Sequence, residues 1–474
     1  MVIRTKVVAT LGPATSEPAV LRQLVGAGCD VFRLNFSHGT LVEKARLLAS
    51  IRAVEAELGE PVAVMADLCG PKIRVGPVVD DEIELVAGSE LVIQREPLEG
   101  DATRVSTTLA ELVDAVRPGE SILLDDGKLR LEVTGVRPPD EFTCRVIHGG
   151  PLRSGKGVNL PRTELALSAL TEKDRADVAW IVEQDIDYVA LSFVRSEADV
   201  RELRGLLQDG GCDAHVIAKI EKPQAVEDIE DIVETADGIM VARGDLGVEM
   251  ELPLVPVTQK RIARLCQARG KPCIIATQML ESMTHAPRPT RAEVSDVANA
   301  VLDHADAVML SGETAIGAYP VRAVQMMNDI SEALQADREE RDDPLRVHYA
   351  SAPTTAALAH AVKAIIEEEQ IAAAAVFTAT GTTARMMAKN RLPVPILAFS
   401  PSRTTVRRMC LYYGVEPHLA DAPEHTREVL ALAARTAVEH GHARPGDKLV
   451  VLSGRPIGRS GATNTLVVHT VPGG

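Results

Sequence analysis

The stretch DGIMVARGDLGVEM, residues 237–250, runs from an apolar segment, Ile239 to Ala242, into a turn that sets one carboxylate, Asp245, between two glycines. A short apolar run closed by a Gly-rich turn reads as the end of a strand, and its ordinary meaning is structural punctuation. Seven further runs of the same kind lie between Thr5 and Gln335: KVVATLG, DVFRLNFS, PVAVMADL, DYVALSF, HVIAKIE, PCIIAT and DAVML. Between most of them sit segments with apolar residues at helical spacing, such as PAVLRQLVGAG and VTQKRIARLCQARG. Eight strand-helix units predict an α/β fold, a (β/α)8 TIM barrel, with an open doubly wound sheet as the alternative.

The alternation breaks once, after the third run. EIELVAGSELVIQRE, SILLDDGKLRLEVTGV and EFTCRVIHGG are short strands with Gly, Pro and Asp turns and hardly any helix. They predict a small β-barrel domain at 71–167, inserted into a barrel made of 1–70 and 168–335. The charged stretch ADREERDDPLR, 336–346, reads as a solvated linker. Beyond it AAAAVFTATG, VPILAFS, KLVVLSG and LVVHTV alternate with helical patterns and predict a C-terminal α/β domain at 347–474.

A chain of 474 residues is too long for one compact core and should divide into domains. With 46% hydrophobic and 25% charged residues it belongs with soluble globular proteins. Its net charge of -16 repels a phosphate backbone, which argues against nucleic acid as a partner. No run approaches a membrane span, and Lys6 and Pro13 interrupt the N-terminal apolar segment, so a cytoplasmic protein is expected. Seven cysteines form no CxxC pair, so neither a zinc framework nor a disulfide framework is expected.

In a barrel of this type chemistry collects where the strands end at their C-termini. The residues closing the runs are polar: Arg33, Asn35 and Ser37, then Asp67, Ser192, Lys219 with Glu221, Asp245, Thr277, and Ser311 with Glu313. Glu221 and Asp245 can hold an oxygen-liganded divalent ion such as magnesium; the alternative is a salt bridge from either one to Lys219 or Arg243. Lys219 precedes Glu221 by two residues, so in a strand both face one mouth. It can serve as an electrophile for developing negative charge or belong to a structural ion pair. If GDLGVE opens a short helix, Gly244 clears access to backbone N–H groups that suit an anion. One tempting match is set aside: GPLRSGKG, 150–157, has the phosphate-loop spacing but ends in Gly157 where a hydroxyl should reach magnesium, with no helix to follow.

The segments ATLGPAT, FRLNFSHGT, IAKIEKPQAV, GIMVARGDLGVEM, ATQMLESM, PRPTRAEVSDVANAVLDHADAVMLSGETA and GVNLP together resemble the pyruvate kinase family, in order and nearly end to end. The resemblance implies phosphoryl transfer from phosphoenolpyruvate to ADP and protonation of the enolate, giving pyruvate and ATP. It implies Glu221 and Asp245 as ligands of Mg2+ or Mn2+, and Lys219 as the cation that neutralises first the phosphoryl group in flight and then the enolate. Arg33 and Arg74 match phosphate-contacting arginines. Thr277 matches the threonine beside the substrate carboxylate and the proton path, while Gly244 and Asp245 supply carboxylate-binding N–H groups. Asn35 and His38 match residues near the nucleotide, with Asn35, Ser37 and Asp67 around the monovalent cation. The insertion would act as a lid that keeps water from the phosphoryl group. Family members are usually homotetramers.

This chain reads DLCGPKIR at 67–74 where many members read DTKGPEIR. Lysine at the glutamate position, here Lys72, resembles the potassium-independent branch, and Leu68 in place of threonine points the same way. On this reading the Lys72 ammonium, near Asp67, replaces the charge of potassium; the alternative is that it points to solvent. In the C-terminal domain, FTATGTTA predicts a strand, a turn and a helix start, and SGRPIGRSGATN a loop between strands. The family binds phosphorylated activators there, which implies an effector site at Thr378, Thr380, Gly381, Thr382, Thr383 and Arg455, against a plain Thr-rich helix cap. A sugar monophosphate, AMP and fructose 1,6-bisphosphate remain open as activators. Two rival readings are an inactive metabolite sensor and a magnesium-dependent carbon-carbon lyase; intact Lys219, Glu221, Asp245 and Thr277 argue against the first, the insertion against the second.

Overall fold

The structure is a computed structural model that describes residues 4–161, 163, 168–337, 352–454 and 463–473. Eight strands close into a barrel: β1 (Lys6–Leu11), β2 (Val31–Asn35), β3 (Ala63–Asp67), β4 (Tyr188–Leu191), β5 (His215–Ile220), β6 (Gly238–Ala242), β7 (Cys273–Ala276) and β8 (Ala307–Leu310). Every neighbouring pair is parallel, and β8 pairs back onto β1. The α/β barrel reading holds, and the open-sheet alternative falls.

The side-chain period of two sorts each strand into two cores. Val7, Val64, Val189, Val216, Ile239 and Val308 face outward into a core shared with the surrounding helices. Val8, Met65, Tyr188, Ile217, Met240, Ile274 and Ala307 fill the barrel interior. Strands buried on both faces must be apolar throughout, which is why these runs show so little alternation in the sequence. Carrying the inward parity past the last apolar filler lands on Arg33, Asp67, Ser192, Lys219 and Glu221. The fold therefore gathers these polar groups at one end of the barrel.

Between β3 and β4 the chain forms a six-stranded sheet and a two-stranded one. Its strands alternate buried and exposed residues, for example Leu129–Arg137 and Glu141–His148, and cover a core of their own around Leu91, Leu131, Phe142 and Leu152. Arg74 and Gly157, at the two ends of this segment, bridge to each other. The GPLRSGKG stretch begins as the strand Gly150–Arg153, and Lys156 pairs with Asp125 at 2.7 Å.

The C-terminal sheet has the order β11-β10-β9-β12-β13, with β9 Ile371–Phe377, β10 Ile396–Ser400, β11 Val415–Leu419, β12 Lys448–Gly454 and β13 Thr463–Thr470. Only β13 runs antiparallel to its neighbour. This domain seats under the N-terminal ends of the barrel strands. Its Leu411, Tyr412 and Tyr413 join the barrel-interior residues in one continuous apolar core. Around that core Arg407 makes two 2.7 Å hydrogen bonds to Glu55, Tyr188 donates to the Arg408 carbonyl at 2.5 Å, and the fully buried Lys389 pairs with Asp306 just before β8. Most of the 336–346 stretch read as a linker lies outside the described residues.

Candidate active site

The buried end of the site is a chain of charges. Arg33 donates from Nε to Asp67 at 2.6 Å and from its guanidinium to Thr10 Oγ1 at 2.9 Å. The other Asp67 oxygen lies 3.2 Å from Lys219 Nζ, which also donates to Ser192 Oγ at 2.6 Å and reaches Glu221 at 2.9 Å. Burial works to raise the Asp67 pKa, but Arg33 and then Lys219 outweigh it and hold the carboxyl below its ordinary value. Burial works against the charged Lys219 as well, yet Asp67 and Glu221 hold its pKa above the ordinary value, so the ammonium keeps its proton. Lys219 is thus a fixed buried cation rather than a base.

Glu221, 1% exposed, accepts the Phe193 N–H at 2.8 Å, and Phe193 takes φ +55° at the end of β4 to deliver it. Burial lifts the Glu221 pKa, with Lys219 opposing and Asp245 adding to the rise. Asp245 sits half-buried in the first turn of the helix Arg243–Glu249. A buried carboxylate, Glu221, whose negative charge is made costlier by the nearby Asp245, with one presented from a strand and the other from a helix start, fits a hard divalent cation. The salt-bridge alternative holds in part: Glu221 does pair with Lys219, but Arg243 pairs with Asp296 at 2.7 Å instead.

Arg243 also donates to the Thr277 carbonyl at 2.9 Å. Thr277 takes φ +68° and Gln278 φ +54°, a backbone region that a β-branched residue enters only when its surroundings force it. The Thr277 hydroxyl donates to the Ala276 carbonyl at 2.6 Å and accepts the Gly244 N–H at 2.7 Å. A Cβ at Gly244 would stand 3.3 Å from that hydroxyl, so glycine keeps the helix start close to the β7 turn.

The mouth is electropositive. His38 is exposed, and its pKa is lowered by burial first and then by Arg74, Lys44, Arg33 and Lys72. Arg74 donates to the Gly155 carbonyl of the insertion at 2.9 Å, and Asn35 accepts the Ser37 N–H at 3.0 Å. Lys72 stands 3.7 Å from Asp245, while Asp67 is enclosed by Arg33 and Lys219. The ammonium therefore pairs with the outer carboxylate of the site, Asp245.

Sequence reasoning missed two supports. Arg243 with Asp296 fixes the β7 turn, a pairing 53 residues apart that no local pattern announces. Glu249, 3% exposed at the far end of the helix that carries Asp245, accepts from Asn159 of the insertion at 2.9 Å and from Lys222 at 2.5 Å. The one available signal was Asn159 within GVNLP. Ser311 and Glu313 prove structural: Glu313 accepts the N–H groups of Ser311 at 2.8 Å and Leu280 at 3.0 Å.

At the second site, Gly381 at φ +79° is the N-cap of the helix Thr382–Lys389, so no threonine side chain caps it. Thr378 Oγ1 accepts the Gly381 N–H at 3.0 Å, Thr380 and Thr382 hydroxyls lie 3.0 Å apart, and Thr383 meets Thr463 at 2.7 Å. Arg455 lies outside the described residues.

Residues 2–324 match the family described as "Pyruvate kinase, barrel domain" and residues 356–469 the one described as "Pyruvate kinase, alpha/beta domain". The chain is 44% identical over 471 residues to "Pyruvate kinase 2" of Synechocystis sp., covering 99% of this chain and 79% of that protein. It is 43% identical over 471 residues to "Pyruvate kinase" of Geobacillus stearothermophilus, covering 99% and 80% of the two chains. A third relative, "Pyruvate kinase" of Agrobacterium vitis, is 44% identical over 476 residues, covering 98% of each.

Proposed function

The chain belongs to the pyruvate kinase family and is a phosphotransferase, and from that premise we propose that it transfers phosphoryl from phosphoenolpyruvate to ADP with Glu221 and Asp245 holding Mg2+ or Mn2+. The observation that carries this reading is the buried Lys219 ammonium, pinned between Asp67 and Glu221 and facing the mouth where Asp245 stands. When bound, the metal polarises the phosphoryl and enolate oxygens as a Lewis acid. Lys219 offers a fixed positive charge to the phosphoryl group in transit and to the enolate left behind, with no reorganisation at the moment of reaction. Arg33 and Arg74 bind phosphate, and Asn35 and His38 flank the nucleotide. The substrate carboxylate takes the N–H groups of Gly244 and Asp245, displacing the Thr277 hydroxyl from Gly244. A hydroxyl is a weak acid and this one already donates to Ala276, so the proton reaches the enolate carbon through water positioned by Thr277.

The insertion at 71–167 serves as the lid over the barrel of 1–70 and 168–335. Its Asn159 bond to Glu249 ties lid position to the helix bearing Asp245. Removing a hydrogen bond to a buried carboxylate costs about 1.5–3 kcal/mol, so Asn159→Ala should lower kcat roughly tenfold. It should also raise phosphate release without ATP formation. A coupled assay of pyruvate and free phosphate reads both, and an unchanged ratio of the two would remove Asn159 from lid closure.

Lys72 supplies the charge that potassium brings elsewhere. It does so across the 3.7 Å gap to Asp245. The chain should form pyruvate from phosphoenolpyruvate, ADP and magnesium equally well with tetramethylammonium or potassium as the sole monovalent cation. Lys72→Glu should cut the rate in tetramethylammonium on the order of tenfold, an effect between those of an exposed and a buried charge, and potassium should restore it. Activity of the parent only in potassium would end this account while keeping the enzyme; no activity in either buffer would favour the sensor reading.

The domain of 347–474 is regulatory. Hydroxyls of Thr378, Thr380, Thr382 and Thr383, with Gly381 opening the helix, and Arg455, which lies outside the described residues, bind a phosphorylated activator. The enzyme works in the cytoplasm as a homotetramer; among the described residues no helix is long and apolar enough to cross a membrane.

A further inference from the structure

Far along the chain from the residues of the barrel mouth, the edge strand β11 and the end of the helix Thr426–Glu439 bring together three of the 12 histidines and one carboxylate. Glu416 and His418 are two apart on β11 and so share a face. His440 follows the helix, and the chain turns through Gly441 at φ +73° so that the His442 N–H returns to the Ala437 carbonyl at 2.8 Å. This left-handed terminal turn holds His440 and His442 in fixed relation to the sheet. His442 Nε2 lies 2.8 Å and His440 Nδ1 3.8 Å from the same Glu416 oxygen. All three donor atoms lie within 4.8 Å of one another.

We propose that Glu416, His440 and His442 form a binding site for a divalent transition metal of the zinc class, with water completing its shell. Zinc takes imidazole nitrogen and carboxylate oxygen at about 2.0–2.2 Å, so the three donors need to shift only on the order of 1 Å to close on it. The shell behind them is built: the His418 ring stands edge-on to His440 at 4.9 Å and stacks on Phe399 at 5.3 Å. His418 Nε2 is buried without a hydrogen-bond partner among the described residues, an orphan polar atom beside the cluster. An approach exists as well, because Glu416, His418 and His440 line a cavity of about 790 Å³ between the C-terminal sheet and the barrel. The donor chemistry separates this site from the barrel mouth. Magnesium keeps to all-oxygen sets such as Glu221 with Asp245, whereas paired imidazoles favour zinc. The inference does not rest on the phosphoryl-transfer reading.

The test is equilibrium dialysis of the full chain, stripped with chelator, against zinc in excess magnesium. The parent should take up one zinc per chain, and the half-exposed His440→Gln, together with His442→Gln and Glu416→Gln, should weaken uptake by about 100-fold. Substituting cobalt should give the visible absorption of a nitrogen-liganded ion in the parent alone. Far-ultraviolet circular dichroism establishes that each variant is folded. Equal zinc uptake by the parent and a folded His440→Gln, or no uptake by the parent in excess magnesium, overturns the site.

Discussion

Lys219→Met is expected to lower kcat by about 10²- to 10³-fold, the range seen when one preorganised group facing developing charge is removed. The side chain contributes nothing that a neighbour can replace. Arg33 is turned to Asp67 and Thr10, and Lys72 stands at the outer carboxylate. Loss of the ammonium also leaves Asp67 and Glu221 buried with less compensation, so stability should fall alongside activity. The two effects are separable. Lys219→Arg keeps the charge on a longer, planar group that cannot occupy the same point between Ser192, Asp67 and Glu221, and it should regain stability without regaining rate. Steady-state kinetics with urea denaturation of both variants reads this. A methionine variant within tenfold of the parent kcat would remove Lys219 from the chemistry.

Asp306→Ala should destabilise the chain by about 3–5 kcal/mol, the cost of removing one partner from a buried ion pair. Lys389 and Asp306 are each 1% exposed, and Arg391 approaches the second Asp306 oxygen at 3.3 Å. Asp306 also accepts the Cys273 N–H at 2.8 Å, so the change strips a cap from the start of β7 as well. Burial already holds the Lys389 pKa below its ordinary value against the pull of Asp306, and without that carboxylate the amine should shed its proton. Replacing the pair by Asp306→Leu with Lys389→Met should recover part of the loss, since apolar groups of similar volume leave no buried charge. The urea midpoint reads both. A single variant as stable as the parent would mean that the domain contact does not depend on this pair.

Much of this was legible because parallel strands covered on both faces must be apolar, so eight such runs announce themselves. The same parity rule places Lys219 and Glu221 at one mouth from the sequence alone. What stayed hidden depends on long-range geometry. Nothing in the sequence sets Arg243 against Asp296, or Asn159 against Glu249, because those partners lie 53 and 90 residues apart and share no periodicity. The contact of Lys72 with Asp245 was hidden for a related reason, since the two lie far apart in the chain and share no periodicity. The strained Thr277 was equally silent, since a threonine in ATQMLESM carries no local sign of a positive φ.

The barrel floor belongs to both domains. Tyr188, at the bottom of β4, donates to the Arg408 carbonyl, and the fill of the barrel continues into Tyr412 and Tyr413. A chain cut after the barrel would therefore expose the underside of its own interior packing to water, and should be recovered as an aggregate rather than as a folded barrel. Chimeras face the same constraint. A C-terminal half borrowed from a relative must bring a floor that fits this barrel, so exchanging that domain between members requires recutting the joint around Tyr188, Asp306 and Lys389 together.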